Sequence, residues 1–438
     1  MDYQSTRGGE RGVSPSLAIV KGLAADGGLF VPDSIPKLSK SLRELSELSY
    51  QDLAYEMMKL YLTDFTEEEL RFCIRSAYDD KFDCPEIAPV VKEGKFFYLE
   101  LFHGKTLAFK DMALSILPYL LKVSTRKNNI KEKIVILTAT SGDTGKAAME
   151  GFSDVEGTEI IVFYPKDGVS DFQERQMKVQ KGKNTHVAAI LGNFDDAQSG
   201  VKRIFADEEY RAELLKKGYR LSSANSINIG RLLCASNENK VLTDFFHTGI
   251  YDKNRPFHLT TSPSMDILIS SNLERLLYAV NRKEKDIEAY MKDLNERGRY
   301  QISEEMQKKL EEEFYSGFGK DGEGSVTIFQ TFKETGYILD PHTAMAKLLA
   351  DHYAYESGNK EKLLIVSTAS PYKFSQTVLR ALKEYVPEDV YAAIQSVAEL
   401  WKKPMPEVIR DVMESEVRHN TVCTVPDMKL TISHFLLS

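Results

Sequence analysis

A lysine with apolar neighbours is the first candidate for chemistry in this chain. Lys110 lies in the stretch HGKTLAFKDMAL, residues 103–114, between Phe109 and Asp111. An amine in this setting is either a surface residue, whose stem packs on its neighbours while its charge stays in water, or a buried amine. In the buried case its pKa falls enough for it to act as nucleophile and base. The local pattern alone favours the surface interpretation.

A second candidate is a glycine-rich turn that follows a β-branched run and precedes an alanine-rich helical pattern. The turn, SGDTG, comprises Ser141, Gly142, Asp143, Thr144 and Gly145. Glycines let the backbone approach a ligand closely, and a helix N-terminus offers unpaired N–H groups to a carboxylate or phosphate. Ser or Asp at the same position can simply cap the helix. Spacing leaves both interpretations open.

Two further turns carry hydroxyl groups. Ser367, Thr368 and Ser370 follow an apolar run at 363–367 and precede a helical pattern from about Phe374. Helix capping is the simpler interpretation of these hydroxyls. A polar cluster also precedes the apolar helical face at 273–280, and spacing does not decide whether it lines a substrate site or is structural. It comprises Ser262, Ser264, Asp266, Ser270, Ser271 and Asn272.

Short β-branched or aromatic runs supply the elements that would position these turns. The runs are KFFYLELF, KIVILTAT, TEIIVFYP, THVAAIL and KLLIVSTA. Several are followed by a turn and a helical pattern, which is typical of parallel βαβ units. Ligands of such sheets bind where strands end at their carboxyl edge. The sequence therefore predicts an α/β fold with mostly parallel sheets, flanking helices and a site at these turns.

The texture of the sequence changes near residue 85. Residues 1–85 predict a small, mainly helical N-terminal domain, and residues 86–438 predict a second domain of α/β type, which the resemblance given below implies to be the catalytic domain. Within the second part, residues 280–318 are rich in charge at helical spacing, which predicts a solvated helical insertion.

Composition narrows the function. The chain has 438 residues with a formal net charge of −8, so a nucleic-acid partner is not expected. We expect a small-molecule substrate instead. The four cysteines form no CxxC pair, so we expect no metal site and a reducing, cytoplasmic location. No apolar run approaches the length of a membrane span, so no membrane partner is expected.

Nine segments, taken in order, resemble the threonine synthases, which are pyridoxal-phosphate enzymes of the tryptophan-synthase-β-like fold (fold type II). They are YQSTRG (3–8), GLAADGGLFVP (22–32), FHGKTLAFKD (102–111), TATSGDTGKAA (138–148), NFDDAQ (193–198), NSINIGRLL (225–233), SPSMDILISSNLERLL (262–277), LDPHTAMA (339–346) and STASPYKF (367–374). The resemblance implies conversion of O-phospho-L-homoserine and water to L-threonine and phosphate, by a monomer or small homo-oligomer.

The resemblance also implies roles for particular residues. Lys110 would carry pyridoxal 5′-phosphate covalently and act as the base. The residues from Ser141 to Gly145 would contact cofactor and substrate, and Thr368 would meet the pyridine nitrogen. Thr106, Ser262, Ser264 and Lys373 are further candidates for binding the substrate.

Two departures from the family pattern keep alternatives open. Ser370 and Tyr372 stand where the family usually has a His and an Ala. A block of several tens of residues that includes a strand and a glycine-rich cofactor-phosphate loop is missing near residues 233–237, so residues 230–240 should leave a sheet gapped or one strand short. One alternative is a non-catalytic or degenerate family member. Another, a serine/threonine dehydratase-like lyase, is disfavoured by STRG and GLAADGGLFVP.

Overall fold

Strands and helices alternate along most of the chain. The computed structural model describes residues 1–140, 142–166, 168–222, 232–358 and 362–437. The strands are β1 (Tyr3–Ser5), β2 (Phe30–Pro32), β3 (Val90–Glu93), β4 (Phe96–Glu100), β5 (Lys133–Ala139), β6 (Thr158–Pro165), β7 (Thr185–Leu191), β8 (Tyr219–Ser222), β9 (Leu232–Ser236), β10 (Ile250–Asp252), β11 (Arg299–Gln301), β12 (Phe314–Phe318), β13 (Leu364–Ser367) and β14 (Thr421–Thr424).

The helices flank these strands in chain order. They are α1 (Pro15–Lys21), α2 (Leu42–Ser46), α3 (Tyr50–Tyr61), α4 (Glu67–Ala77), α5 (Asp111–Leu114), α6 (Leu117–Lys127), α7 (Asp143–Phe152), α8 (Asp171–Lys178), α9 (Phe194–Ala206), α10 (Glu208–Lys216), α11 (Val241–Thr248), α12 (Leu273–Asn281), α13 (Glu284–Arg297), α14 (Glu304–Glu313), α15 (Asp321–Thr335), α16 (Pro341–Ser357), α17 (Ser375–Leu382), α18 (Val390–Trp401), α19 (Glu407–Glu414) and α20 (Met428–Leu437).

The largest sheet has five parallel strands in the order β14-β7-β6-β5-β8. Alternate residues of β5 enter different cores: Ile134 and Ile136 pack on one face, Val135 and Leu137 on the other. A strand buried on both faces needs a continuous apolar run, and this explains why the β5, β6 and β7 segments were recognisable in the sequence. The predicted α/β class and parallel sheet are confirmed.

Two smaller sheets lie on helix α16. In the first, β13 pairs in parallel with β4, and β3 pairs antiparallel with β4; in the second, β9 and β12 pair in parallel. Helix α16 packs against β9, β12 and β13. No described strand pairs with the second edge of β13, and its outward side chains Leu364 and Val366 are exposed. Within the segment 230–240, residues 230 and 231 lie outside the described residues and Leu232–Ser236 form β9, so the expected missing strand stays a prediction.

The N-terminal segment is attached to distant parts of the chain. The guanidinium of Arg7 donates two hydrogen bonds to the carboxylate of Glu274 in α12, each 2.9 Å long, and Thr6 Oγ1 donates a third of 2.6 Å. Helix α1 packs on α6. The STRG motif therefore has a structural role, as the latch between the N-terminal segment and α12. A domain boundary near residue 85 stays a prediction.

The segment 280–318 differs from the expected solvated helical insertion. Helices α13 and α14 are present, but β11 pairs with β10, and β12 forms a sheet with β9. Ile287, Tyr300 and Leu310 are buried in one core with residues of α11 and α12. Charged residues on the outer faces hid this apolar side from the sequence interpretation.

No helix in the described part of the chain combines the length and apolar character needed to cross a bilayer.

Candidate functional site

The loop that carries Lys110 is held against the turn that carries Thr368. The N–H of Phe109 donates to the carbonyl of Thr368 at 2.8 Å, and the N–H of Ser370 donates to the carbonyl of Leu107 at 3.0 Å. Leu107 has a φ of 59°, a left-handed conformation that bulky residues rarely adopt. Two segments more than 250 positions apart are thus fixed side by side, with Lys110 directly after the contact.

Lys110 is half-buried at the start of α5. Its Nζ lies 4.4 Å from the ring centroid of Phe109. No described residue forms a hydrogen bond or ion pair with this amine. Burial lowers the pKa of Lys110, and the negative charge of Asp143 partly opposes the fall. This environment favours the buried-amine interpretation over the surface one.

The glycine-rich turn joins β5 to α7. Gly142 has a φ of 128°, and a Cβ there would lie 2.6 Å from the side chain of Gln173, so only glycine fits. Thr140 Oγ1 accepts hydrogen bonds from the N–H groups of Gly142 and Gly145, both 2.9 Å long. Ser141 lies outside the described residues, so its predicted contact with a ligand has no structural description here.

Two backbone N–H groups at the start of α7 have no acceptor among the described residues. The side chain of Asp143 does not cap the helix, and no described residue accepts from the N–H groups of Asp143 or Thr144. Capping therefore does not explain Asp143. N–H groups at a helix N-terminus suit a carboxylate or phosphate, and these two have no described acceptor.

Asp143 instead forms a buried ion pair with Lys373. Its Oδ1 lies 2.7 Å from Lys373 Nζ and accepts a 2.8 Å hydrogen bond from Gln173 Nε2. Burial alone would raise the pKa of Asp143, but Lys373 and Gln173 hold it below its usual value. Lys373 Nζ also donates to the carbonyl of Thr106 at 2.8 Å and to Gln176 Oε1 at 3.3 Å. Its three donors are therefore all engaged within the protein.

Two of the other predicted substrate residues are also engaged internally. Thr106 is fully buried, and its Oγ1 and N–H donate to Asp111 at 2.6 and 2.8 Å. Ser262 is fully buried and accepts from Asn237 Nδ2 at 3.1 Å. Only Ser264 is exposed, and its Oγ donates to Asp143 Oδ2 at 3.3 Å. The geometry gives Thr106 and Ser262 a shaping role, and their contact with substrate stays a prediction.

Sequence reasoning missed a histidine that lies behind this site. His342 Nδ1 lies 2.8 Å from Asp340 Oδ1, and its Nε2 accepts the N–H of Ser264 at 3.1 Å. Asp340 also caps α16 by accepting from the N–H of His342. The Asp-Pro pair at 340–341 is a recognisable helix start. The contact of His342 with Ser264 joins distant positions, so the sequence around either residue does not predict it.

A second histidine, His103, anchors the entry to the Lys110 loop. Its Nδ1 lies 2.6 Å from Asp83 Oδ1 and its Nε2 lies 2.9 Å from Glu100 Oε2. Burial would lower the pKa of His103, but the two carboxylates outweigh it and raise the pKa to about 9. The ring is therefore a cation at neutral pH.

This cation predicts a pH dependence of stability. The folded pKa of about 9 exceeds the reference value of 6.5, so the stabilisation is complete below 6.5 and is lost as the pH rises to about 9. We expect the free energy of unfolding in urea to fall by about 1–3 kcal/mol over this interval, after allowance for partial exposure. His103→Gln should remove this part of the slope. An unchanged slope in the variant would contradict the assignment.

Comparison with known proteins places the chain in a family. Residues 2–78 match the family model described as "Threonine synthase N terminus". The threonine synthase of Pseudomonas aeruginosa is 32% identical, over 87% of this chain and 90% of that protein. The chain belongs to the threonine synthase family. It is also 36% identical to Threonine synthase-like 1 of Pongo abelii over 84% of this chain, and it spans only 58% of the length of that relative.

Solved structures agree with this family. The pyridoxal-phosphate-bound threonine synthase from Brucella melitensis superposes with a TM-score of 0.84 at 29% identity, covering 100% of both chains. The fold is therefore the tryptophan-synthase-β-like fold of type II, as the sequence predicted.

Proposed function

We propose that this chain binds pyridoxal 5′-phosphate through Lys110 and converts O-phospho-L-homoserine and water to L-threonine and inorganic phosphate. The observation that carries the proposal is the half-buried Lys110 amine, which has a lowered pKa and no described ion-pair partner. Membership of the threonine synthase family supports the same reaction. We further infer a cytoplasmic location, a monomer or small homo-oligomer, and the division into residues 1–85 and 86–438.

The residues around Lys110 fit the cofactor at its reactive end. Thr368 is adjacent to the Lys110 loop, and its hydroxyl has no described hydrogen-bond partner, so it is available to a ring nitrogen. The N–H groups of Asp143 and Thr144 have no acceptor among the described residues, which suits a substrate carboxylate. Gly142 and Gly145 keep the turn free of side chains, so a ligand can approach its backbone.

The chain's own groups would then move protons and hold charge. Bound pyridoxal phosphate would supply an electron sink for the electrons left when a proton next to the substrate amine is removed. Lys110 is the base, because burial favours its neutral form. Asp143 stays ionised through Lys373, so it holds a fixed negative charge and does not accept the proton. Overall, the phosphate leaves from Cγ and a water hydroxyl is added at Cβ.

The test is an assay of both products. The purified chain with saturating pyridoxal phosphate and O-phospho-L-homoserine should release phosphate and L-threonine in equal amounts. L-serine and L-threonine serve as control substrates, because ammonia release from them would identify the dehydratase alternative. A chain that holds the cofactor at Lys110 but forms neither product would refute the proposed function.

The missing phosphate loop supports a second candidate function, that of a non-catalytic family member. The chain lacks the family's glycine-rich phosphate loop in its sequence, and the second edge of β13 has no partner among the described strands. The loop would supply charge-assisted hydrogen bonds worth ~1.5–3 kcal/mol each.

The missing loop predicts weak cofactor binding. We expect the dissociation constant for pyridoxal phosphate to exceed that of the Pseudomonas aeruginosa enzyme by on the order of 100-fold or more, which corresponds to the loss of two such bonds. Absorbance titration of both proteins in one buffer measures it. Comparable affinities would mean that another segment of this chain holds the phosphate, and would remove the main support for the non-catalytic alternative.

A further inference from the structure

His342 is a buried histidine for which the proposed reaction has no role. Its Nε2 faces the backbone N–H of Ser264 at 3.1 Å, and its Nδ1 faces Asp340 Oδ1 at 2.8 Å. A backbone N–H can only donate, so Nε2 must be the acceptor and carries no proton. The ring is therefore neutral, with its proton on Nδ1 and donated to Asp340. The hydrogen-bond pattern fixes one tautomer.

On its other side, the same serine holds the carboxylate of the glycine-rich turn. Ser264 lies in a short 3-10 turn, Pro263–Met265, which we name the Ser264 turn. Ser264 Oγ donates to Asp143 Oδ2 at 3.3 Å, while Lys373 and Gln173 hold Asp143 Oδ1 at 2.7 and 2.8 Å. Both oxygens of Asp143 are thus fixed, one by an ion pair and one by an exposed turn.

Both ends of the Ser264 turn are fixed by other contacts, because the flanking residues Ser262 and Asp266 are buried and hydrogen-bonded within the protein. Ser264 itself is exposed. Its backbone contact is with His342, which is 7% exposed, and His342 is oriented by Asp340, which is completely buried. The backbone N–H in the middle of the turn is therefore held by the buried pair beneath it.

We propose that His342 is a positioning residue, whose neutral tautomer holds the Ser264 turn beside Asp143 and so fixes the negative charge that faces Lys110. The charged or titratable groups that act on Asp143 are Lys373, His342 and Lys110. This inference rests on the proposed role of Lys110. It does not require that the chain hold the cofactor tightly.

Release of the turn would change Lys110 in one direction. Asp143 Oδ2 would lose its hydrogen bond and attract the Lys110 ammonium more strongly. Water would also reach the amine more easily, and its desolvation would fall. Both changes favour the protonated amine, so the pKa of Lys110 would rise toward that of an exposed lysine.

A matched pair of variants tests this. The amide of Gln reaches about as far as Nε2 of His and can accept from the N–H of Ser264, whereas the shorter Asn reaches only the position of Nδ1. In cofactor-free protein, the pH dependence of Lys110 acylation is followed by peptide mass spectrometry. We expect H342N to move the midpoint upward and H342Q to leave it near that of the unmodified chain. Asp340→Ala, which removes the acceptor for the Nδ1 proton, should resemble H342N.

The outcomes separate this inference from the proposed function. Equal midpoints in H342N, H342Q and the unmodified chain, with all three folded by circular dichroism, would overturn the positioning role. Equal upward shifts in H342N and H342Q would also overturn it, because only the volume of the ring would then matter. Borohydride reduction of the unmodified chain with pyridoxal phosphate is a separate measurement. Absence of label on Lys110 there would count against the proposed function, while the acylation result would still decide the role of His342.

Discussion

Lys110→Ala should abolish the borohydride-fixed attachment of pyridoxal phosphate and lower threonine formation by about 10²–10⁴-fold or more. The amine is both the attachment point and the base in the proposed reaction, and no described residue forms a hydrogen bond or ion pair with it. Peptide mapping after reduction locates the label, and a phosphate-release assay measures the rate.

Lys105→Ala is the matched control. Lys105 lies in the same loop five positions earlier and has no described ion-pair partner, but it precedes the contact with Thr368. The control variant should keep the label on the peptide that contains Lys110. Recovery of the label on another lysine in Lys110→Ala would remove Lys110 from its proposed role.

Lys373→Met should produce the largest loss of stability among the site variants. Lys373 has no exposed side-chain surface, and its removal leaves the buried carboxylate of Asp143 without a counter-ion. Breaking a buried ion pair on one side costs about 3–5 kcal/mol. Urea unfolding of the variant and the unmodified chain measures the difference.

Two controls test whether the stability loss of Lys373→Met comes from the unpaired charge of Asp143: a double variant, and the pH dependence of the free energy of unfolding. Lys373→Met with Asp143→Asn should recover part of the loss, because no buried charge is then left unpaired. In the unmodified chain the depressed pKa of Asp143 contributes stability above the reference pKa of 3.8, and this is lost as the pH falls through the lower folded value. In Lys373→Met, the hydrogen bonds from Gln173 and Ser264 remain, but the Lys373 charge no longer opposes burial, so the pKa of Asp143 rises. The difference in the free energy of unfolding between Lys373→Met and the unmodified chain should therefore shrink in acid. A difference that does not depend on pH would instead indicate lost packing.

The sequence predicted features that depend on local pattern. The strands β5, β6 and β7 are continuous apolar runs because both of their faces are buried, and the site residues Lys110, Asp143 and Thr368 follow or precede recognisable turns. Lys110 itself was recognised only through resemblance, since a lysine beside apolar residues is usually a surface residue.

Features that join distant segments could not be predicted. The ion pair of Lys373 with Asp143 and the contact of His342 with Ser264 link separate elements, and neither leaves a signal in the local sequence. The strand β12 was hidden because charged helices precede it and only its pairing with β9 makes it part of a sheet. These contacts and the strand β12 depend on tertiary pairing between distant segments and not on local sequence propensity.

The latch between Arg7 and Glu274 has a consequence for synthesis of the chain. Its two partners are 267 positions apart. At a translation rate of roughly 5–20 residues per second, roughly 15–50 s separate the appearance of the first partner from that of the second. During this interval the N-terminal strand lacks its anchor, and its backbone is accessible to proteases and chaperones. A nascent chain stalled before residue 274 should therefore be cleaved near its N-terminus, and one extended past α12 should resist.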